Sequence, residues 1–497
     1  MIHTKYAPIA PLLMVDSYKL DHKRVAELAG RVTKLYSNFT NRGSRIEGVD
    51  HVVHFGLRAF LKNYCEDAFA PFFAADEDLV AALYEERVMQ VVGPNDIGSD
   101  HIRALHRLGY LPLKFSAVAE GTPVPLRVPS FTIENTLPEF HWLTNYIESV
   151  LSASVWQAST SATIAHRLRK YLDKEAMETT GQIATVDWQG HDFSFRGMSS
   201  IETAAMSGAG HLLSFTGTDS LVSLDWIDYF YGGNPVGYLL GGSVPATEHS
   251  VTCVNIEVKG EFEFFNEILD LYPTGIFSAV SDTFDLWKVL TDFLPRLKEK
   301  IMARDGRLVI RPDSGDPILI INGDPNAPVG SPAYKGVVRL LWETFGGTEN
   351  EFGYKELDTH VGVIYGDSIT FDRANAIVGG LKAMGFASTN VVLGVGSYTY
   401  QYNTRDTFGS AVKATYAEVD GEAYDLKKDP ITDNGLKKSA TGRLAVALNK
   451  DGDLYLIQKA TPEQEAASLL QPVWEDGKFL THQSFEDVRK VLADSKF

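Results

Sequence analysis

The sequence predicts an α/β protein: an irregular parallel α/β barrel with an additional, mostly antiparallel β layer from the N- and C-terminal segments. Three observations carry this. From about residue 183 onward, apolar strand-like runs are each followed by a glycine or polar turn and then by a helical period. The segments 111–136 and beyond 400 instead alternate apolar and polar residues around turn signals. The chain has 497 residues, 44% of them hydrophobic, which is core enough for more than one domain.

The elements follow in order. "GLRAFLKNYCEDAF" has the period of an amphipathic helix. "LPLKFSAVAEGTPVPLRVPSFTIENT", 111–136, reads as antiparallel strands broken at Gly-Thr-Pro and Val-Pro. "EFHWLTNYIESVLSASVWQASTSATIAHRLRKYLDKEA" reads as a long helix, apolar on one face. The βα units then run through "DFSFRG", "LLSFTGTD", "GIFSAVSD", "RLVIRPDSGDP", "VGVIYGD" and "NVVLGVGS". Repeated βα units call for right-handed crossovers and a parallel sheet whose strand ends share one rim. After 400, "AVKATYAEVDGEAYDLKKDP" and "GRLAVALNKDGDLYLIQKA" each centre on Asp-Gly, a hairpin signal. The division expected is an α+β segment over 1–150, a barrel over 151–400 and a β-rich segment over 401–497 that joins the first in a second layer.

Composition excludes several classes of partner. The formal charge is −18 and the pI about 5.2, which disfavours nucleic acid. An anionic substrate therefore needs a local cluster of Arg and Lys. No apolar run approaches the ~18 residues of a membrane span, and the N-terminal apolar patch is too short and broken for a signal peptide. Two cysteines, Cys65 and Cys253, are too few for a disulfide framework or a thiolate zinc site. A cytoplasmic setting is expected.

Each βα unit ends in a polar residue where a barrel enzyme places its chemistry. These are Asp219, Asp282, Arg311 with Asp313, and Asp367. Asp219 and Asp282 read equally well as helix N-caps. "RPDSGDP" does not reduce to a plain turn, because a turn needs no arginine. Glycines recur beside the last two strands, at Gly366, Gly394 and Gly396, where backbone N–H groups can approach a phosphate. His249 is placed in the first turn of a helix opened by Pro245 and Thr247. In "HDFSFRGMSS" a strand carrying Phe193 and Phe195 ends before Arg196. Gly197 makes the turn, Ser199 and Glu202 form a capping box, and Phe195 is open to a core reading.

The ordered runs "MVDSYKLDH", "YSNFTNRG", "FTIENTLPEFHWLTNYIES", "HDFSFRGMSSIETA", "FTGTDS", "SVPATEHS", "VSDTFD", "IRPDSGDP", "YGDSI" and "KDP" with "KSATGRLAV" extend over nearly the whole chain. Together they resemble the nicotinamide phosphoribosyltransferases of the type II phosphoribosyltransferase family. The resemblance implies that family's barrel, a homodimer with shared active sites, and transfer of phosphoribosyl from 5-phosphoribosyl 1-pyrophosphate to nicotinamide, with Mg²⁺ and with ATP as coupled co-substrate. It makes Phe193 and a partner subunit's Tyr18 the two faces that stack on nicotinamide. Asp219 accepts from the carboxamide, with Arg311 and Ser278 near the same ring. Asp313 fixes ribose hydroxyls. Arg196, Gly366, Asp367, Gly396 and Ser397 serve the phosphoribosyl group, and Arg42, Arg405, Lys413 and Lys428 serve phosphate and pyrophosphate. His249 is the phosphorylated histidine, Asp282 stands beside it, and Asp282 or Asp313 is the candidate Mg²⁺ ligand. The relatives' consecutive glycines near 396 are here "GVGSYT". The segment 318–335 carries no assigned chemistry. The nearest rival activity is nicotinate phosphoribosyltransfer on the same fold; a Schiff-base aldolase would want a rim lysine among residues that are acids and an arginine.

Overall fold

Short β-branched and aromatic runs stopped by glycine or a polar turn form the strands that position the site. The computed structural model describes residues 5–366, 368–432 and 438–496; Asp367 lies outside the described residues. The chain divides into two units. One comprises Met1–Thr163, Ile227–Val236 and Asn403–Phe497, the other Ile164–Trp226 and Gly237–Tyr402. The helix Glu148–Thr180 carries the chain from the first into the second.

In the second unit six strands pair in parallel: β1 (Gly190–Asp192), β2 (Gly217–Thr218), β3 (Thr274–Val280), β4 (Asp305–Arg311), β5 (Val361–Tyr365) and β6 (Val391–Val395). Their order is β2-β1-β6-β5-β4-β3. The central strand β5 is buried along its whole length, as an apolar run covered on both faces must be. Its core neighbours include Leu168, Leu172, Phe277, Ile310 and Leu393. The two edge strands, β2 and β3, are linked by a segment that forms no strand of its own. Gly242 bridges Gly217, and Ala246 bridges Ser278, both in parallel sense. The Gly242 amide donates to Thr216 O at 2.9 Å, and the Thr247 amide donates to Ser278 O at 3.0 Å. Thr247 adds its hydroxyl oxygen, which accepts from the Val280 amide at 2.9 Å.

β1 is shorter than its apolar pattern suggests. The Asp192 carboxylate accepts from the Ser194 amide at 2.9 Å, a local turn that competes with the ladder. The chain leaves the sheet after Phe193, whose amide still donates to Val395 O. Phe195–Gly197 is a 3₁₀ turn, so two-residue alternation fails there and Phe195 is exposed, not in the core. The helix Ile201–His211 is capped reciprocally by Ser200 and Thr203. The Ser199–Glu202 box does not form, because the Ser199 amide is taken by the Gln401 side chain.

The first unit contains a seven-stranded antiparallel sheet in the order Glu422–Asp425, Ser410–Val419, Val32–Asn41, Pro129–Asn135, Leu113–Ala117, Gln471–Glu475 and Lys478–Phe479. Phe39, Phe115, Phe131 and Trp474 fill its core. Asp420 and Gly421, with φ of 51° and 86°, form the two-residue left-handed turn that Asp-Gly favours. The other Asp-Gly sits inside a longer loop, 449–453, held by the Asn449 side chain. Among the described residues no helix is long and apolar enough to cross a membrane.

The 242–247 link makes a stability prediction. Thr247→Val removes the acceptor of a buried amide at the β3 edge, and is expected to lower unfolding stability by about 1–3 kcal/mol. Denaturant unfolding checks it; an unchanged midpoint would mean that the link does not hold the edge.

Candidate active site

Successive strands of the parallel sheet deliver their chemistry at the same, carboxyl-terminal edge, where such sheets bind ligands. Phe193 follows β1, Asp219 follows β2, Ser278 lies near the end of β3 and Asp282 just beyond it. Arg311 closes β4 with Asp313 two residues on, Gly366 follows β5, and Gly396 with Ser397 follows β6.

Phe193 is a half-buried ring backed by other groups of this edge. The Arg311 guanidinium lies 5.2 Å from its centroid and the His191 ring 4.5 Å, tilted by 37°. Gly394 makes room beneath it. A Cβ there would stand 2.4 Å from Tyr365 O and 3.0 Å from Phe193 Cδ2. Gly366 is equally constrained, since a Cβ would meet Asp313 Oδ1 at 2.5 Å and Arg311 Nε at 2.9 Å.

Asp219 is not a helix cap. Its Oδ1 accepts from His191 Nε2 at 2.9 Å and from Ser243 Oγ at 2.5 Å. Partial burial works against its ionised form. The hydrogen bonds from His191 and Ser243, with the charges of His191 and Arg311, outweigh this and hold the carboxyl below its ordinary 3.8. The stabilisation from this depression is fully present above about 3.8 and is lost as pH falls through the lower folded-state value. Nothing in the sequence marked Ser243. His191 had a readable signal: it lies two residues before Phe193, on the same face by strand alternation.

Asp282 is not a cap either. Its Oδ2 accepts from the Asp313 and Ser314 amides at 2.8 and 2.7 Å, while Asp285 caps the following helical turn. It thus pins the "RPDSG" turn. His249 is the first residue of the helix His249–Lys259, with Glu248 before it. The helix opens later than Pro245 and Thr247 suggested because both are engaged with β3. His249 Nε2 lies 3.9 Å from Asp282 Oδ1 and 3.8 Å from Asp313 Oδ2. Buried polar atoms at this edge without a hydrogen-bond partner among the described residues include Ser278 Oγ, Asp282 Oδ1, Asp313 Oδ1 and Arg311 Nε. Buried polar groups are rarely left so, and these have hydrogen-bonding capacity to spare. No group of three or more His, Cys, Asp or Glu suited to a metal occurs among the described residues.

Arg196 is exposed on its 3₁₀ turn. That turn lies against Ser397, since a Cβ on Gly197 would fall 1.9 Å from Ser397 Oγ. Gly396 is buried and extended, and Ser397 opens the short helix Ser397–Tyr400.

The first unit gathers the remaining candidates. Burial, followed by the positive charges of Arg42, Lys428 and Arg405, lowers the Lys413 ammonium below its ordinary 10.5 against the pull of Glu148. Arg42, Lys428 and Arg405 are therefore near enough for Lys413 to feel each of them. Partial desolvation and the charges of Asp16 and Glu148 raise the exposed Tyr18 phenol, while Arg405 opposes them.

Known proteins resemble the chain over most of its length. The model of the nicotinate phosphoribosyltransferase (NAPRTase) family matches residues 188–478, more than half of the chain. The chain is 47% identical to a nicotinamide phosphoribosyltransferase of Acinetobacter baylyi, over 98% of this chain and 97% of that protein. It is 35% identical to one of Mycoplasma pneumoniae, over 87% and 94%. Among solved structures, a nicotinate-nucleotide pyrophosphorylase from Pyrococcus furiosus shares the fold with a TM-score of 0.57 at 16% identity, covering 99% of this chain and 96% of that one. The protein is a member of the NAPRTase family.

His191→Phe removes a donor to Asp219 and is expected to raise the Asp219 midpoint. A carboxyl ¹³C titration of parent and variant checks this; coincident curves would mean that His191 does not tune the acid.

Proposed function

We propose that the protein transfers phosphoribosyl from 5-phosphoribosyl 1-pyrophosphate to nicotinamide, forming nicotinamide mononucleotide and pyrophosphate in NAD salvage. The observation that carries this is that His191 joins the two residues, bonding Asp219, whose carboxyl is held below its ordinary value, and packing on Phe193. His191 and Ser243 occupy Oδ1 and leave Oδ2 to accept from a carboxamide NH₂. The relatives named nicotinamide phosphoribosyltransferase support the same reading.

The chemistry asks mainly for positioning. A pyridine nitrogen is a neutral nucleophile and needs no base to activate it. Phe193 offers one face for the ring, Asp219 fixes its rotation, and Ser278 Oγ and Arg311 have unmet hydrogen-bonding capacity toward it. Displacement at the anomeric carbon builds positive charge on ribose and negative charge on the leaving pyrophosphate. Asp313 faces the ribose hydroxyls. The turns at Gly366 and Gly396–Ser397, with Arg196, receive the 5′-phosphate, a role assigned also to Asp367, which lies outside the described residues. Arg42, Arg405, Lys413 and Lys428 stabilise the leaving pyrophosphate. A homodimer in which a second copy supplies its Tyr18 and part of the basic cluster completes the site. Mg²⁺ suits the uncommitted oxygens of Asp282 and Asp313. Two carboxylates with substrate phosphates are a usual donor set for this ion, which then supplies charge neutralisation of the pyrophosphate. His249, close to both acids, is the acceptor of the ATP γ-phosphoryl group that couples hydrolysis to synthesis. A cytoplasmic location fits two cysteines that are both free.

Nicotinate is the rival substrate. Its carboxylate meets the Asp219 charge, a mismatch on which specificity can rest. Product formation from nicotinamide is therefore expected to exceed that from nicotinate, and Asp219→Ser to reduce the ratio by about 10- to 100-fold. An unchanged ratio would remove Asp219 from the assignment. The same assay with and without ATP tests the histidine: His249→Ala is expected to abolish ATP stimulation, and full stimulation in that variant would overturn the coupling.

A further inference from the structure

Beneath the rim lies a buried pair that none of the roles above uses. His211 ends the helix Ile201–His211, and Tyr400 ends the helix Ser397–Tyr400. Both side chains are essentially inaccessible. His211 Nδ1 and Tyr400 OH are 2.6 Å apart, and His211 Nε2 lies 3.1 Å from Gly217 O. A carbonyl oxygen only accepts, so the proton of the neutral ring sits on Nε2. Nδ1 then accepts, and the Tyr400 hydroxyl is the donor. The charge state agrees with this polarity. Burial pushes the imidazole down to about 4, with Asp192 pulling upward and His191 downward.

The bond joins two segments of the rim. Gly217 opens β2, which delivers Asp219. Tyr400 lies one turn beyond Gly396 and Ser397. Other ties act on the same loop: the Thr399 hydroxyl donates to Ile369 O at 2.8 Å, and Gln401 Oε1 accepts from the Ser199 amide at 2.8 Å. The loop that replaces a glycine run is thus held by side-chain anchors, and Tyr400–His211 reaches the strand bearing Asp219.

We propose that His211 is a positioning residue for the phosphoribosyl donor, holding the Gly396–Ser397 turn at a fixed distance from Asp219 through its hydrogen bond with Tyr400. The donor part of this inference rests on the function proposed above. Tyr400→Phe tests it, because the ring and its volume remain and only the hydroxyl is lost. Amide hydrogen exchange at 397–401 is expected to quicken about 10-fold. Calorimetric affinity for 5-phosphoribosyl 1-pyrophosphate is expected to weaken about 10-fold, with KM for nicotinamide within about two-fold of the parent. Unchanged exchange would overturn the tie. Faster exchange with unchanged donor affinity would reduce it to packing and overturn the positioning role. A parent that binds the donor but transfers nothing would overturn the proposed function while the exchange and affinity data still decide the tie; a parent that binds no donor overturns both.

Discussion

The site depends on the parallel backbone ladder that runs from β2 to β3 and on the 242–247 link between these two edges. Parallel pairing forces six strands to end on one side, so residues far apart in sequence meet without any long loop to carry them. Once the ladder is in place, small residues decide how closely the ends approach. Gly394 leaves room for both the Tyr365 carbonyl and the Phe193 ring, and Gly366 lets Asp313 and Arg311 crowd the end of β5. An added methyl at either position would collide with the groups proposed to hold substrate.

Charge is handled locally in a chain that is acidic as a whole. Asp219 is held ionised by donors on β1 and on the 242–247 link, which is also the segment that joins the sheet edges. The same stretch of chain thus closes the ladder and orients the acid proposed to select the substrate. Asp282 spends one oxygen on the "RPDSG" turn and keeps the other uncommitted. The basic residues suited to phosphates gather in the other unit, where burial, with the charges of Arg42, Lys428 and Arg405, lowers Lys413; an anion placed among them would offset those charges.

Much of this was legible in the sequence because βα units write their ends plainly. The strand-then-glycine-or-acid pattern located Asp219, Asp282, Arg311, Asp313, Gly366 and Gly396 on one rim. Periodicity failed where side chains bond to nearby backbone. Asp192 ends β1 early and turns Phe195 outward, and the Ser199 amide is taken by Gln401, which moves the cap to Ser200. Asp219 and Asp282 each looked like caps because an acid before a helix is ambiguous until its partners are known. Ser243 left no trace, since the 242–247 link has neither strand nor helix period. His211 and Tyr400 were invisible as a pair, being 189 residues apart.

The central claim is that Asp219 and Phe193 together read a carboxamide. The most direct measurement is a structure of the protein with nicotinamide mononucleotide bound. The pyridine ring is expected to lie parallel to Phe193, with the carboxamide nitrogen within hydrogen-bond distance of Asp219 Oδ2. A carboxamide turned away from Asp219, or a ring seated elsewhere than on Phe193, would contradict it.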